Sequence, residues 1–130
     1  MLVAIFLFYS KSDAQNSAAK NPEWIYTTSN ENLTTYLQSY YVSKDGSQVK
    51  IWTKWVYKKS YTYNGKVYNN FWNKQLEIWD CTKKQHKNII TAYYDGDEPI
   101  DSDMSGGEWM NVNTNTLGED ILKMVDKMFN

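Results

Sequence analysis

The stretch "QVKIWTKWVYK", residues 48–58, decides the fold class. Its side chains alternate in character. Val49, Ile51, Thr53, Trp55 and Tyr57 fall on one face of an extended chain, and Lys50, Trp52, Lys54, Val56 and Lys58 on the other. A period of two is what a strand with one face in a core requires, because successive Cβ atoms point to opposite sides of a sheet. The first set reads as core. The second reads as polar with two apolar interruptions, Trp52 and Val56.

Working outward, "TYLQSYYVS" precedes this strand, and Lys44-Asp45-Gly46 separates the two. Asp-Gly is a strong hairpin signal because glycine enters the left-handed region at no steric cost. Tyr36 to Ser43 and Gln48 to Lys59 are therefore expected to pair antiparallel. Asn64-Gly65 within "YTYNGKVYNN" signals a second turn or a small protruding hairpin. "NKQLEIWDC" and "KNIITAYYD" read as two further strands joined by Thr82 to Gln85, and Asp95-Gly96 turns into "DEPIDSD". Pro99 lacks an N–H, which places that last segment at an edge or outside the ladder.

The final segment changes period. In "TLGEDILKMVDKMFN", Leu117, Ile121, Met124, Val125 and Met128 recur at threes and fours, and Thr116 with Glu119 forms a capping box. An amphipathic helix must bury its apolar stripe, and the sheet is the available surface. The expected architecture is α+β: an antiparallel sheet of five to six strands with a C-terminal helix packed on one face.

The chain has 130 residues, six tryptophans and eleven tyrosines, and a net charge of −1 with all basicity supplied by lysine. No basic run exceeds two residues. Nucleic acid is excluded as a partner, since its recognition demands clustered Lys and Arg. The first residues, "MLVAIFLFYSKSDAQ", run apolar from Leu2 to Tyr9 and reach Ser12-Asp13-Ala14, small at −3 and −1 for cleavage before Gln15. Residues 1–14 are expected to be an export signal, 15–23 a linker and 24–130 the folded domain. The apolar run is shorter than the ~20 residues a membrane span needs. No cysteine follows it, so a lipid-anchored form is not expected.

"LEIWDCTKKQH", residues 76–86, holds the sole cysteine and the sole histidine, Cys81 and His86. A Cys-His nucleophile pair needs the two within hydrogen-bond reach. At a separation of five they diverge on a strand, and they diverge by about 140° on a helix. Zinc needs at least three protein ligands, and no second Cys or His exists to complete a set. Cys81 therefore reads as a structural, partly buried thiol at a strand end, and no metal, cofactor or catalytic residue is assigned. "DGDEPIDSD" fails the calcium-loop pattern, with Pro99, Ile100 and Gly106 where oxygen, glycine and glutamate ligand positions belong.

The aromatic content exceeds what a small core needs. Trp55 and Tyr57 lie on the apolar face, whereas Trp52, Tyr61, Tyr63 and Tyr68 lie on the polar face or in the Asn64-Gly65 hairpin. Flat rings interleaved with Lys and Asn offer large contact area at low entropic cost, which makes these four the candidate partner-binding residues.

The arrangement of Trp24, "YYVSKDGSQVKIWTKW", a strand ending "LEIWDC", "YYDGDEPIDS", Trp109 and a C-terminal helix resembles the bacterial surface-adhesin protein E-like family. The resemblance implies an antiparallel sheet of about six strands with the helix on its concave face. It also implies a disulfide from sheet to helix, with Cys81 at the sheet-side position. The helix-side cysteine is absent; Met124, Met128 and Phe129 stand there. The namesake is a lipid-anchored adhesin that binds host matrix and plasma proteins, and no catalytic residues are known for the family. The resulting expectation is an exported, non-enzymatic binding domain, located in the periplasm, at the cell surface or secreted. It would recognise a protein or envelope partner, a host matrix protein by analogy, and a homodimer is compatible with such a surface. The alternative is a small periplasmic ligand-binding or structural envelope protein. A concave apolar pocket of at least about 300 Å³ would favour ligand binding, and a flat aromatic patch would favour a partner.

Overall fold

The computed structural model describes residues 23–130; the expected export signal and all of the linker but Glu23 lie outside the described residues. Ten strands precede one helix: β1 (Trp24–Ser29), β2 (Leu33–Gln38), β3 (Ser43–Asp45), β4 (Gln48–Tyr57), β5 (Tyr61–Tyr63), β6 (Lys66–Tyr68), β7 (Phe71–Asp80), β8 (Gln85–Asp95), β9 (Glu98–Asp103), β10 (Met110–Asn111) and α1 (Leu117–Phe129).

Eight strands form one antiparallel sheet. Six run in the order β9-β8-β7-β4-β2-β1, β3 also pairs with β4, and β10 also pairs with β8. β5 and β6 form a separate two-stranded ribbon. The α+β class matches the sequence reading, but the sheet has eight strands where five to six were expected. The additions are short: β3 spans three residues and β10 two. Pieces of that length carry too little alternation to register as strands.

The Asp45-Gly46 hairpin forms, with Asp45 opposite Gln48 and Gly46 at φ 60°. The strand expected from Tyr36 to Ser43 is interrupted. Leu37 pairs with Thr53 and Ser43 with Lys50, so residues 38–42 face only residues 51–52. The surplus chain bulges outward and exposes Tyr40, Tyr41 and Val42. Asn64 and Gly65 both adopt positive φ, 50° and 78°, the conformation a tight two-residue hairpin needs. Pro99 sits on the edge strand β9 beside a register shift, where its missing N–H costs no ladder bond.

The two faces of the sheet differ sharply. All the buried apolar strand residues, Leu37, Val49, Ile51, Phe71 and Trp79, lie on one face. The helix packs there, contributing Ile121, Leu122 and Val125 to the same core. Leu122, 6% exposed, was missing from the apolar stripe read off the sequence, and Leu117, Met124 and Met128 are only half-buried. The start of the helix is capped as read: Thr116 Oγ1 accepts from the Glu119 N–H at 3.2 Å. The Glu119 carboxylate reaches one residue beyond the usual partner, accepting from the Asn115 N–H at 3.0 Å.

Candidate functional site

The β5–β6 ribbon folds back over the helix-bearing face. Tyr61 stacks on Phe71 with ring centroids 4.9 Å apart, and Tyr63 lies 4.7 Å from Tyr93. Tyr68 joins the cluster 6.0 Å from Phe71. The Tyr63 hydroxyl donates to Asp101 Oδ2 at 2.7 Å, and this bond is the main cause that pushes the phenol pKa up to about 12. These three tyrosines form one unit. Trp52 does not belong to it: it lies between buried Ile51 and Thr53 in β4 and therefore points to the opposite face. The four candidate residues are split between the two sides of the sheet.

The face bearing Trp52 is uncovered among the described residues. The side chains of its central strands β4, β7 and β8 are half-buried, apart from Asp80, which is buried; exposed residues such as Tyr26, Asp45 and Pro99 lie toward its edges. Here the register builds a cross-strand ladder of rings and ammonium groups. Trp72 and Tyr94, paired across β7 and β8, stack at 4.2 Å with planes 10° apart. Lys54 Nζ lies over the Trp72 ring, 4.6 Å from its centroid, and within 5.8 Å of Tyr36 and Trp24. Lys74 Nζ lies 5.3 Å from Trp52 and 5.7 Å from Tyr94. Each cation–π contact of this kind contributes about 0.5–1 kcal/mol, which helps the sheet carry five large rings on this face. Beside the ladder, Gln38 is 6% exposed and its Oε1 has no hydrogen-bond donor among the described residues.

Cys81 and His86 do not meet. Cys81 faces the last turn of the helix, where burial first and the Asp126 carboxylate second raise its thiol pKa to about 11. His86 stacks on Trp79 at 4.6 Å, and its Nδ1 is 3.3 Å from Glu77 Oε2. Glu77 is 1% exposed, and its other oxygen accepts from the Thr53 hydroxyl at 2.7 Å. Trp55 Nε1 donates to the same hydroxyl at 3.0 Å. The polar chain Trp55–Thr53–Glu77–His86 was not foreseen from the sequence. It depends on pairing β4 with β7 and β7 with β8 in a particular register, and the hairpin joining Asp80 to Gln85 was the one signal pointing to it. Among the described residues, no group of three or more His, Cys, Asp or Glu side chains is placed to hold a metal ion.

Two open clefts flank the helix beside β1. One, of about 390 Å³, is lined by Thr27, Thr28, Asp120, Lys123, Met124 and Lys127. The other, of about 670 Å³, includes Ser29, Asn30, Asn115 and Thr116. Both are open to solvent; the first exposes mainly apolar wall and the second mainly polar wall.

No curated protein and no solved structure matches this chain. The family model described as surface-adhesin protein E matches residues 24–125. That span runs from Trp24, the first residue of β1 and a member of the lysine–aromatic ladder, to Val125, a buried anchor of the helix. Sheet, ladder and the helix as far as Val125 thus fall within the match, and the chain belongs to the surface-adhesin protein E family.

Proposed function

We propose that this protein is an exported, non-enzymatic binding domain that recognises a protein or envelope partner through the open face of its sheet. The observation that carries the reading is the uncovered ladder in which Trp24, Trp52, Trp72 and Tyr94 alternate with Lys54 and Lys74. Rings held upright between lysines are pre-ordered, so a partner that covers them loses little side-chain entropy on their account. The Tyr61, Tyr63 and Tyr68 ribbon is a second, separate contact surface on the helix-bearing side. Residues 1–14 serve as the export signal and 15–23 as the linker to the domain. Among the described residues no helix is long and apolar enough to cross a membrane.

Two measurements test this reading. Mass spectrometry of the protein from its native cell should find a chain that begins at or near Gln15; an intact Met1 in the cytosolic fraction would contradict export. Surface plasmon resonance against immobilised matrix, plasma and envelope proteins should find a binder that Trp52→Ala weakens at least about tenfold, as expected for a central aromatic anchor. A binder indifferent to Trp52→Ala and lost in a Tyr61→Ala, Tyr68→Ala double variant would move the site to the ribbon.

A further inference from the structure

The open face is also segregated by charge. Its strand positions carry Lys50, Lys54, Lys74 and Lys87, placed there by the pairs Lys54 with Lys74, Lys50 with Ile78 and Ile78 with Lys87. Its two strand carboxylates sit at one end of the sheet. Asp45 lies at the hairpin tip, and Asp80 is 4% exposed and already bonded to Ser47, Gln48 and the N–H groups of Thr82 and Lys83. Asp101 and Asp103 project to the other face, beside Tyr93 and Thr91. In a chain whose net charge is only −1, this face is cationic by arrangement and not by composition.

Two features say what the arrangement fits. Lys54 and Lys74 are direct cross-strand partners, and like charges placed so cost stability on an exposed sheet. An anionic occupant relieves that cost. Between the lysine pair at one end and Lys50 with Lys87 at the other lie Trp52, Leu76, Ile78 and Ile90. An apolar centre framed by charge is the plan of a protein–protein contact; a polyanionic glycan offers nothing apolar to cover that centre. The long strands β4, β7 and β8 with the six-residue β1 and β2, about 4.8 Å apart and rising about 3.3 Å per residue, present a face on the order of 600 Å². That approaches the ~800 Å² per partner of a standard interface.

Resting on the reading of the open face as the binding surface, we infer that its partner is a polypeptide presenting an apolar ridge flanked by carboxylates. A second copy docked through the same face would set lysines against lysines, which opposes self-association there.

The test uses the full chain and a labelled synthetic β-hairpin whose apolar face is flanked by glutamates, a counterpart flanked by lysines, and heparin. Fluorescence anisotropy should show the glutamate hairpin binding at least about tenfold more tightly than the lysine hairpin. Affinity should fall about tenfold between roughly 50 and 300 mM NaCl. The double variant Lys50→Glu, Lys87→Glu should lose a similar factor; among the described residues neither side chain stacks on a ring, and the salt series and lysine hairpin decide the matter even if that variant unfolds. Failure of the glutamate hairpin to bind, equal affinity for both hairpins, heparin binding as tightly as the glutamate hairpin, or a dimer in sedimentation that the lysine variant abolishes would each overturn the inference. Loss of binding in Trp52→Ala with no effect of salt or lysine reversal would overturn the acidic partner and leave the aromatic site standing. The reverse pattern would remove the aromatic site and retain the acidic partner.

Discussion

The hydroxyl of Tyr63 donates to Asp101 Oδ2 at 2.7 Å, and this bond ties the β5–β6 ribbon to the edge strand β9. The folded-state phenol pKa, about 12, lies above its ordinary 10.0. The contribution of the bond is therefore complete below pH 10 and is lost as pH rises through 12. Burial also raises the phenols of Tyr57 and Tyr93, so spectrophotometric titration should find a late-ionising group of tyrosines that loses one member in Tyr63→Phe. The same variant should speed amide exchange in β5 and β6 while leaving β4 and β7 protected; unchanged ribbon exchange would show that stacking on Phe71 holds it unaided.

Docking of the helix rests on Ile121, Leu122 and Val125. Ile121→Asp or Val125→Asp sets an unpaired charge against the sheet and should cost on the order of 4 kcal/mol. That is a large part of the ~5–15 kcal/mol by which a domain is stable. Lys123→Asp and Lys127→Asp, on the exposed side, should change stability by about 1 kcal/mol or less. Denaturant midpoints of the four variants compare the two sides directly, and equal midpoints would refute the packing.

Gln38 buries an acceptor without a donor, a state that costs about 1–3 kcal/mol. Gln38→Leu keeps most of the volume and removes the orphan. It should raise stability by about 1 kcal/mol, read as a higher urea midpoint at unchanged slope. A lower midpoint would mean that the amide has a partner in solution.

Burial and the neighbouring Asp126 hold the Cys81 thiol up to about 11. Because the thiolate is the nucleophile, alkylation by iodoacetamide at pH 8 should run on the order of a hundredfold slower than for a free thiol. The rate should climb only as pH nears 11. A fast reaction at pH 8 would show that the helix end opens.

Asp80 titrates below its ordinary 3.8, chiefly through the Lys83 N–H, with Gln48, Ser47 and the Thr82 N–H adding to it against the opposing effect of burial. Its contribution is present above about pH 4 and is lost as pH falls through the depressed value. Asp80→Ala should therefore destabilise the domain at pH 7, by about 1–3 kcal/mol, and flatten the acid limb of its stability curve. An acid limb of unchanged slope would assign it to other carboxylates.

From sequence alone, alternation in residues 48–58 identified the central strand and its core face, Asn64-Gly65 located the ribbon turn, and Thr116 with the apolar repeat placed the helix. Each of these depends on neighbours along the chain, where the period of side-chain direction is set by the backbone itself. Which strand stands beside which, and in what register, was decided only by the tertiary structure. Lys54 reaches Trp72 because β4 and β7 pair Val56 with Trp72, and Glu77 reaches His86 because β7 and β8 pair Trp79 with His86. The bulge at residues 38–42 and the folding of Tyr61 over Phe71 are likewise settled by long-range packing. The same is true of the separation of Trp52 from Tyr61, Tyr63 and Tyr68. Local pattern gives the face on which a side chain lies within its own strand, but the ribbon could close over either face, and stacking of its tyrosines on Phe71 and Tyr93 selected the one bearing the helix.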